Sequence, residues 1–171
     1  MFYALNLNSW NNLMPPLVPF DDKLPHLAHI DVCKILITEA LPELNGLYDL
    51  VDLYCQEAGC DCRKVTIVVM DRHKRPRAAI GYGWESPAFY RKWGLDPEGA
   101  WMLCRGYLDP LCYQSRHAEL FLEAVLSMLR DAPESVDKFK RRYRMFKDAV
   151  SPKKRRPVPN TAVPLNSNRS K

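Results

Sequence analysis

An α+β fold is predicted for this chain: a small antiparallel sheet around a central hairpin at about residues 64–84, flanked by about four helices, with a disordered basic C-terminal tail. Three observations predict it. Lys64–Met70 (KVTIVVM) is β-branched and apolar on both faces, which suits a buried strand. A polar Pro-containing turn, DRHKRPR, then leads into a second strand at Ala78–Trp84. Beyond Ser115 two long stretches carry apolar residues at helical spacing. The hydrophobic fraction of 47% supplies apolar material for one core, in a single domain over residues 1–150.

Taken in order, residues 1–23 are irregular and rich in Asn and Pro, with FYALNL a candidate short strand. His29–Ala40 is β-branched without a clean period and suits a strand or a buried helix segment. Pro42 fits the first position of a helix, and Leu47, Leu50, Val51 and Tyr54 follow at i, i+3, i+4 and i+7, so a helix is expected up to Cys55 despite Gly46. After the hairpin, whose Gly81 and Gly83 point to close packing or a bulge, Ser86-Pro87 starts a short helix that Gly94 stops. A strand is expected through Trp101–Tyr107, followed by a turn at Asp109-Pro110. Ser115 is the expected cap of a helix with the stripe Ala118, Phe121, Leu122, Val125, Met128 and Leu129, ending before Pro133. A last helix is expected over Glu134–Ala149, with the stripe Val136, Phe139, Tyr143, Phe146 and Val150. Residues 151–171 have no apolar period and read as a disordered basic tail.

The net charge of +5 is local. Six of the 25 basic residues lie in 151–171 with no acid, which leaves 19 basic against 20 acidic residues in the body. A uniformly basic nucleic-acid-binding domain is therefore disfavoured, whereas a basic arm is not. No apolar run is long enough to span a bilayer, and the N-terminus lacks the basic start of a secretory signal. The expectation is a cytoplasmic protein that does not engage a membrane, in a compartment that keeps thiols reduced.

That compartment sharpens the meaning of Cys55, Cys60 and Cys62, three of six cysteines within eight residues. A Cys60–Cys62 disulfide would close a strained ring, and Cys55–Cys60 would leave Cys62 unexplained. Buried free thiols are the bland alternative, although Asp61 and Arg63 flank Cys62 with charge. The third reading is a metal knuckle. Thiolates favour zinc in tetrahedral geometry, and Gly59 gives the loop the freedom to turn its cysteines toward one ion. Such a cysteine-rich knuckle at 55–62 needs a fourth ligand. His117, in the first turn of the Ser115 helix, ranks first and Cys112 second, ahead of Cys104, Cys33, His29 and His26.

The segment YCQEAGCDCRKV resembles one found in uncharacterised bacterial proteins, where Tyr-Cys-x4-Cys-Asp-Cys-Arg precedes a hydrophobic strand, and IGYGWESPAFYRKW belongs to the same pattern. The resemblance covers residues 54–93. It implies a bacterial cytosolic protein of unknown function and supplies no reaction.

No Gly-x-Ser-x-Gly, His-Glu-x-x-His or phosphate loop is present, and the acids are scattered singly, so no catalytic residues are assigned and the reading leans away from an enzyme. The aromatic group Tyr82, Trp84, Phe89, Tyr90 and Trp93 reads as core rather than a base-stacking platform, because few cations interleave it. Lys140, Arg141, Arg144, Lys153, Lys154, Arg155 and Arg156 are the candidate nucleic-acid contacts. The sequence thus predicts a zinc-stapled binding or regulatory protein, with a protein partner. Its alternatives are a nucleic-acid-associated protein using the basic arm and a metal-dependent enzyme with an open zinc position.

Overall fold

The computed structural model describes residues 17–38 and 41–151. Among these residues six strands form one antiparallel sheet: β1 (Leu17–Pro19), β2 (Cys33–Ile37), β3 (Gly46–Cys55), β4 (Lys64–Met70), β5 (Pro76–Gly83) and β6 (Tyr107–Leu108). Five α-helices among the described residues accompany them: α1 (Phe20–Lys23), α2 (Pro87–Lys92), α3 (Pro97–Arg105), α4 (Ala118–Asp131) and α5 (Pro133–Val150). The protein is α+β. The β4–β5 hairpin lies at its centre as expected, with a register irregularity at Val69/Met70. The candidate strand FYALNL and the tail beyond Ser151 lie outside the described residues.

β3 is the longest strand and organises the sheet. It pairs with β4 along one edge, while β1 and β2 share the other, β1 opposite Leu53–Cys55 and β2 opposite Gly46–Leu50. This overturns the helix expected after Pro42, which instead opens a single 3-10 turn, Pro42–Leu44. The reason is a charged residue at an inward position. Tyr48, Leu50, Asp52 and Tyr54 alternate onto the buried face, but Asp52 interrupts the apolar alternation that marks a half-buried strand. Leu47, Leu50, Val51 and Tyr54 then mimic a helical face although they point to both sides of the sheet.

Each face of the sheet has its own cover. On one, Ile35, Tyr48, Leu50, Tyr54, Val65, Ile67, Val69 and Ile80 pack against Phe121 and Val125 of α4 and against Phe139, Tyr143 and Phe146 of α5. Phe20 of α1 closes the same core. The smaller second core, Tyr90, Ala100 and Leu103, sits where α2 and α3 cover β5. Gly81 and Gly83 make this approach possible: a Cβ would stand 2.5 Å from the Tyr107 ring at Gly81 and 2.5 Å from the Tyr90 hydroxyl at Gly83. The glycine pair marks close packing, and the bulge lies elsewhere.

Two further expectations are corrected. The strand expected through Trp101–Tyr107 is α3 for most of its length. Asp96 caps it by accepting from the Gly99 N–H at 2.6 Å, Pro97 occupies its first turn, and Gly106 at φ 83° ends it. Ser115 does not cap α4. The helix begins at Ala118 after His117, and the Ser115 hydroxyl has no partner among the described residues. The expected Ser86 cap holds, its hydroxyl accepting from the Phe89 N–H at 3.4 Å.

Candidate metal centre

β3 ends at Cys55 and β4 begins at Lys64, so the cysteine cluster forms the tip of a hairpin rather than a helix-to-strand junction. The loop doubles back through a turn in which the Cys60 N–H donates to the Glu57 carbonyl at 3.3 Å and Gly59 takes φ 78°. Arg63 leaves the loop at φ 45°, an uncommon backbone for a side chain of its size. It is held there from three sides: its N–H donates to the Tyr143 hydroxyl at 3.3 Å, its guanidinium grips Asp61 and Glu85, and it lies over the Phe89 ring.

The consequence is convergence. The Sγ atoms of Cys55, Cys60 and Cys62 all lie within 4.8 Å of one another. Three thiolates on one tetrahedral zinc at about 2.3 Å stand roughly 3.8 Å apart, so a small inward movement closes the set. Cys55 and Cys62 are buried, whereas Cys60 is part-exposed and gives the group an outlet to solvent. A cysteine cluster compatible with metal binding is therefore present.

α5 forms the wall of this site. Lys147 Nζ donates to the Cys55 and Glu57 carbonyls, each at 3.0 Å, and pins the helix to the loop. Tyr143 stacks edge-on against Tyr54 and Trp84 while its hydroxyl reaches Arg63 and Asp61. Burial pushes the Cys55 and Cys60 thiols up; Cys60 adds to this at Cys55 and Cys62 at Cys60, while the Lys147 ammonium opposes it at both. Burial also raises the Tyr143 phenol, with the Cys62, Asp61 and Cys60 charges adding to it. A dication would reverse this balance at the sulfurs, since metal coordination deprotonates a thiol outright. Sequence reasoning places Tyr143 in an apolar stripe and Lys147 in a basic helix; nothing local to either marks it as a neighbour of the cysteines.

The expected fourth ligand is not in the group. His117 stands at the start of α4, where its Nε2 accepts from Arg116 Nε at 2.7 Å. Cys112 lies after β6, its thiol raised to about 12 by burial and by Asp109. The Cys104 thiol donates to the Glu85 carbonyl at 3.1 Å, and Cys33 lies on β2. Neither they nor His26 and His29 join the cluster.

The candidate nucleic-acid residues fare unevenly. Arg141 holds Asp31 in a bidentate pair at 2.8 Å, and Lys140 lies 3.7 Å from Asp137. Arg144 is exposed, and Lys153, Lys154, Arg155 and Arg156 lie outside the described residues. Arg142, on the same helix, is buried. Among the described residues no helix is long and apolar enough to cross a membrane. Comparison with known protein families, with curated proteins and with solved structures found no match.

Proposed function

We propose that this chain is a zinc-stapled binding or regulatory protein of the cytosol, in which Cys55, Cys60 and Cys62 hold one ion. The observation that carries the reading is the convergence of three sulfurs within 4.8 Å at a hairpin tip. Thiolate ligands select zinc over hard cations, and an ion there would join the end of β3 to the start of β4 beneath α5. Its binding free energy would then add to the stability of the fold.

The fourth position favours a second reading of the same ion. Residues 1–16, 39–40 and 152–171 contain no Cys or His, so an unrearranged chain offers neither as a fourth ligand beside the cluster. Water or a group from a partner completes the tetrahedron instead. A water-bearing zinc is the form that catalytic sites take, and it is also the form that a partner's ligand can cap.

Elemental analysis of purified protein, paired with a thiol count under native conditions, tests the proposal. One zinc per chain is expected, with Cys55, Cys60 and Cys62 slow to react until a chelator is added. Cys60→Ser is expected to lose the zinc and to lower Tm, whereas His117→Ala leaves both unchanged. Metal-free protein with all six thiols titrating at once would end the reading.

A further inference from the structure

The two edges of the sheet are finished differently. On the β5 edge, β6 pairs with Ile80 and Gly81, and the chain after it stays bonded to the strand. The Asp109 N–H donates to the Ala79 carbonyl at 2.9 Å, the Gln114 amide clamps both polar groups of Ala79, and the Ser115 N–H donates to the Arg77 carbonyl at 2.9 Å. On the opposite edge, β2 pairs with β3 alone, and among the described residues no strand meets its outer side. A free strand edge offers its backbone N–H and C=O groups to a second strand.

Apolar side chains collect at this edge. Leu36 is 67% exposed and stands opposite Leu47 on β3, itself 55% exposed. Val32 and Leu41, also exposed, lie on either side of β2 in the chain. Single exposed leucines are ordinary, but a directly opposed pair beside a free edge forms a contact surface. Lys34 is the one charged side chain on β2, and Asp49 neutralises it at 2.7 Å. A recess of about 380 Å³ opens between the end of β2 and α4, with Leu36, Ile37, Thr38, Leu120 and Ala124 in its wall.

This edge fits a second copy of itself. Opposed residues in an antiparallel pair share a face, so the sheet is extended only by registers that keep Lys34 and Leu36 on the outer face. Centring the pair on Lys34 would set two lysines face to face, which is unfavourable. Centring it on Ile35 pairs all five residues of β2 and lays each Lys34 stem over the partner's Leu36. The same register brings the partner's Val32 opposite Thr38, at the mouth of the recess. Because the β5 edge is already occupied, such pairing closes at two chains.

We infer that two copies of this chain pair antiparallel through β2, about a two-fold axis at Ile35. Five residues of edge fall short of a standard interface of about 1,600 Å², so the dimer is concentration-dependent rather than obligate. Sedimentation velocity of the full-length protein up to about 1 mM, with hydrogen exchange read at the β2 amides, tests it. A dimer is expected to grow with concentration while exchange at β2 slows. Leu36→Lys sets like charges opposite each other on both sides of the axis. It is expected to weaken the dimer about tenfold more than Leu36→Glu, which meets the partner's Lys34 instead. Leu111→Glu, at an equally exposed position away from this edge, serves as the control and retains the dimer. A monomer at every concentration overturns the proposal, and protected β2 amides in that monomer would give the edge to residues 1–16. Equal effects of the two Leu36 substitutions, or a dimer that neither weakens, overturn it as well.

Discussion

Arg142 puts a guanidinium inside the main core at 4% exposure, and every direction it points in is used. Its Nε donates to Asp52 at 2.8 Å, one terminal nitrogen to Asp21 at 2.7 Å and the other to the Ile30 carbonyl, while the Phe20 ring lies 3.8 Å beneath. Burial pushes the Asp52 carboxyl up and Arg142 pulls it back. Removing one partner strands the other charge, so Arg142→Met alone is expected to cost about 3–5 kcal/mol in denaturant unfolding. Asp52→Leu combined with Arg142→Met removes both charges and is expected to recover most of that loss; a double variant as unstable as the sum of its parts would contradict this. Asp71 acts differently, at the β4–β5 turn. Burial alone would raise its carboxyl, but the Arg75 N–H and guanidinium and the His73 N–H outweigh it and hold the group below its ordinary 3.8. Arg141 does the same for Asp31, and Lys34 with Lys74 for Asp49. A carboxyl depressed in the fold contributes its stability in full above its unfolded value, and that contribution is lost as pH falls through the folded one. Tm is therefore expected to hold down to about pH 4 and to fall below it. Asp71→Asn should lower Tm at neutral pH and make the acid decline shallower. A decline as steep as that of the wild type would remove Asp71 from the account.

At the scale of elements, the second core depends on the missing side chain of Gly83. The Tyr90 hydroxyl sits against it while donating to the Arg63 carbonyl at 2.6 Å and accepting from the Glu85 N–H at 3.3 Å. Gly83→Ala must displace both that ring and the Leu103 side chain, so a loss of about 1–3 kcal/mol is expected, with α2 and α3 exchanging amide hydrogens faster than α4. Equal protection of α2, α3 and α4 would show that the helices find another seat. The same elements show how much of the fold is legible in the sequence. The β4–β5 hairpin is legible from its β-branched run and the Pro-containing turn after it, α2 from a cap followed by a stop, and α4 and α5 from one apolar period each. β3 is not, because Asp52 breaks its alternation for the sake of a partner ninety residues away. α3 reads as a strand although Asp96-Pro97 and Gly106 repeat the grammar that identifies α2; its exposed Trp101 and Met102 obscure the helical period. At the candidate metal site the three cysteines are visible from spacing alone. Tyr143 and Lys147 are not, because their approach depends on how α5 crosses the sheet.

For the whole molecule, charge is sorted between α5 and the C-terminal segment after it. Arg141, Arg142 and Lys147 are engaged within the fold, which leaves Lys138, Lys140 and Arg144 of α5 and Lys153–Arg156 after it for contact with a polyanion. Removing residues 152–171 while keeping Ser151, whose hydroxyl donates to the Lys147 carbonyl at 2.7 Å, is expected to leave Tm unchanged. It is also expected to make the slope of log affinity for DNA against log salt shallower by about 0.9 for each phosphate no longer neutralised. No retention of the full-length protein on DNA or RNA at about 50 mM salt, where such binding is strong, would exclude nucleic acid as the partner of this arm. One arrangement gives the molecule a polarity. Lys147 is bound to the cysteine loop, and Ser151 comes one helical turn later, about 6 Å along the axis. The chain therefore departs from the same pole at which the sulfurs gather. The end of α5 and the three sulfurs therefore share one anchor, and anything that loosens the cysteine loop also releases the Lys147 contact that fixes the helix end.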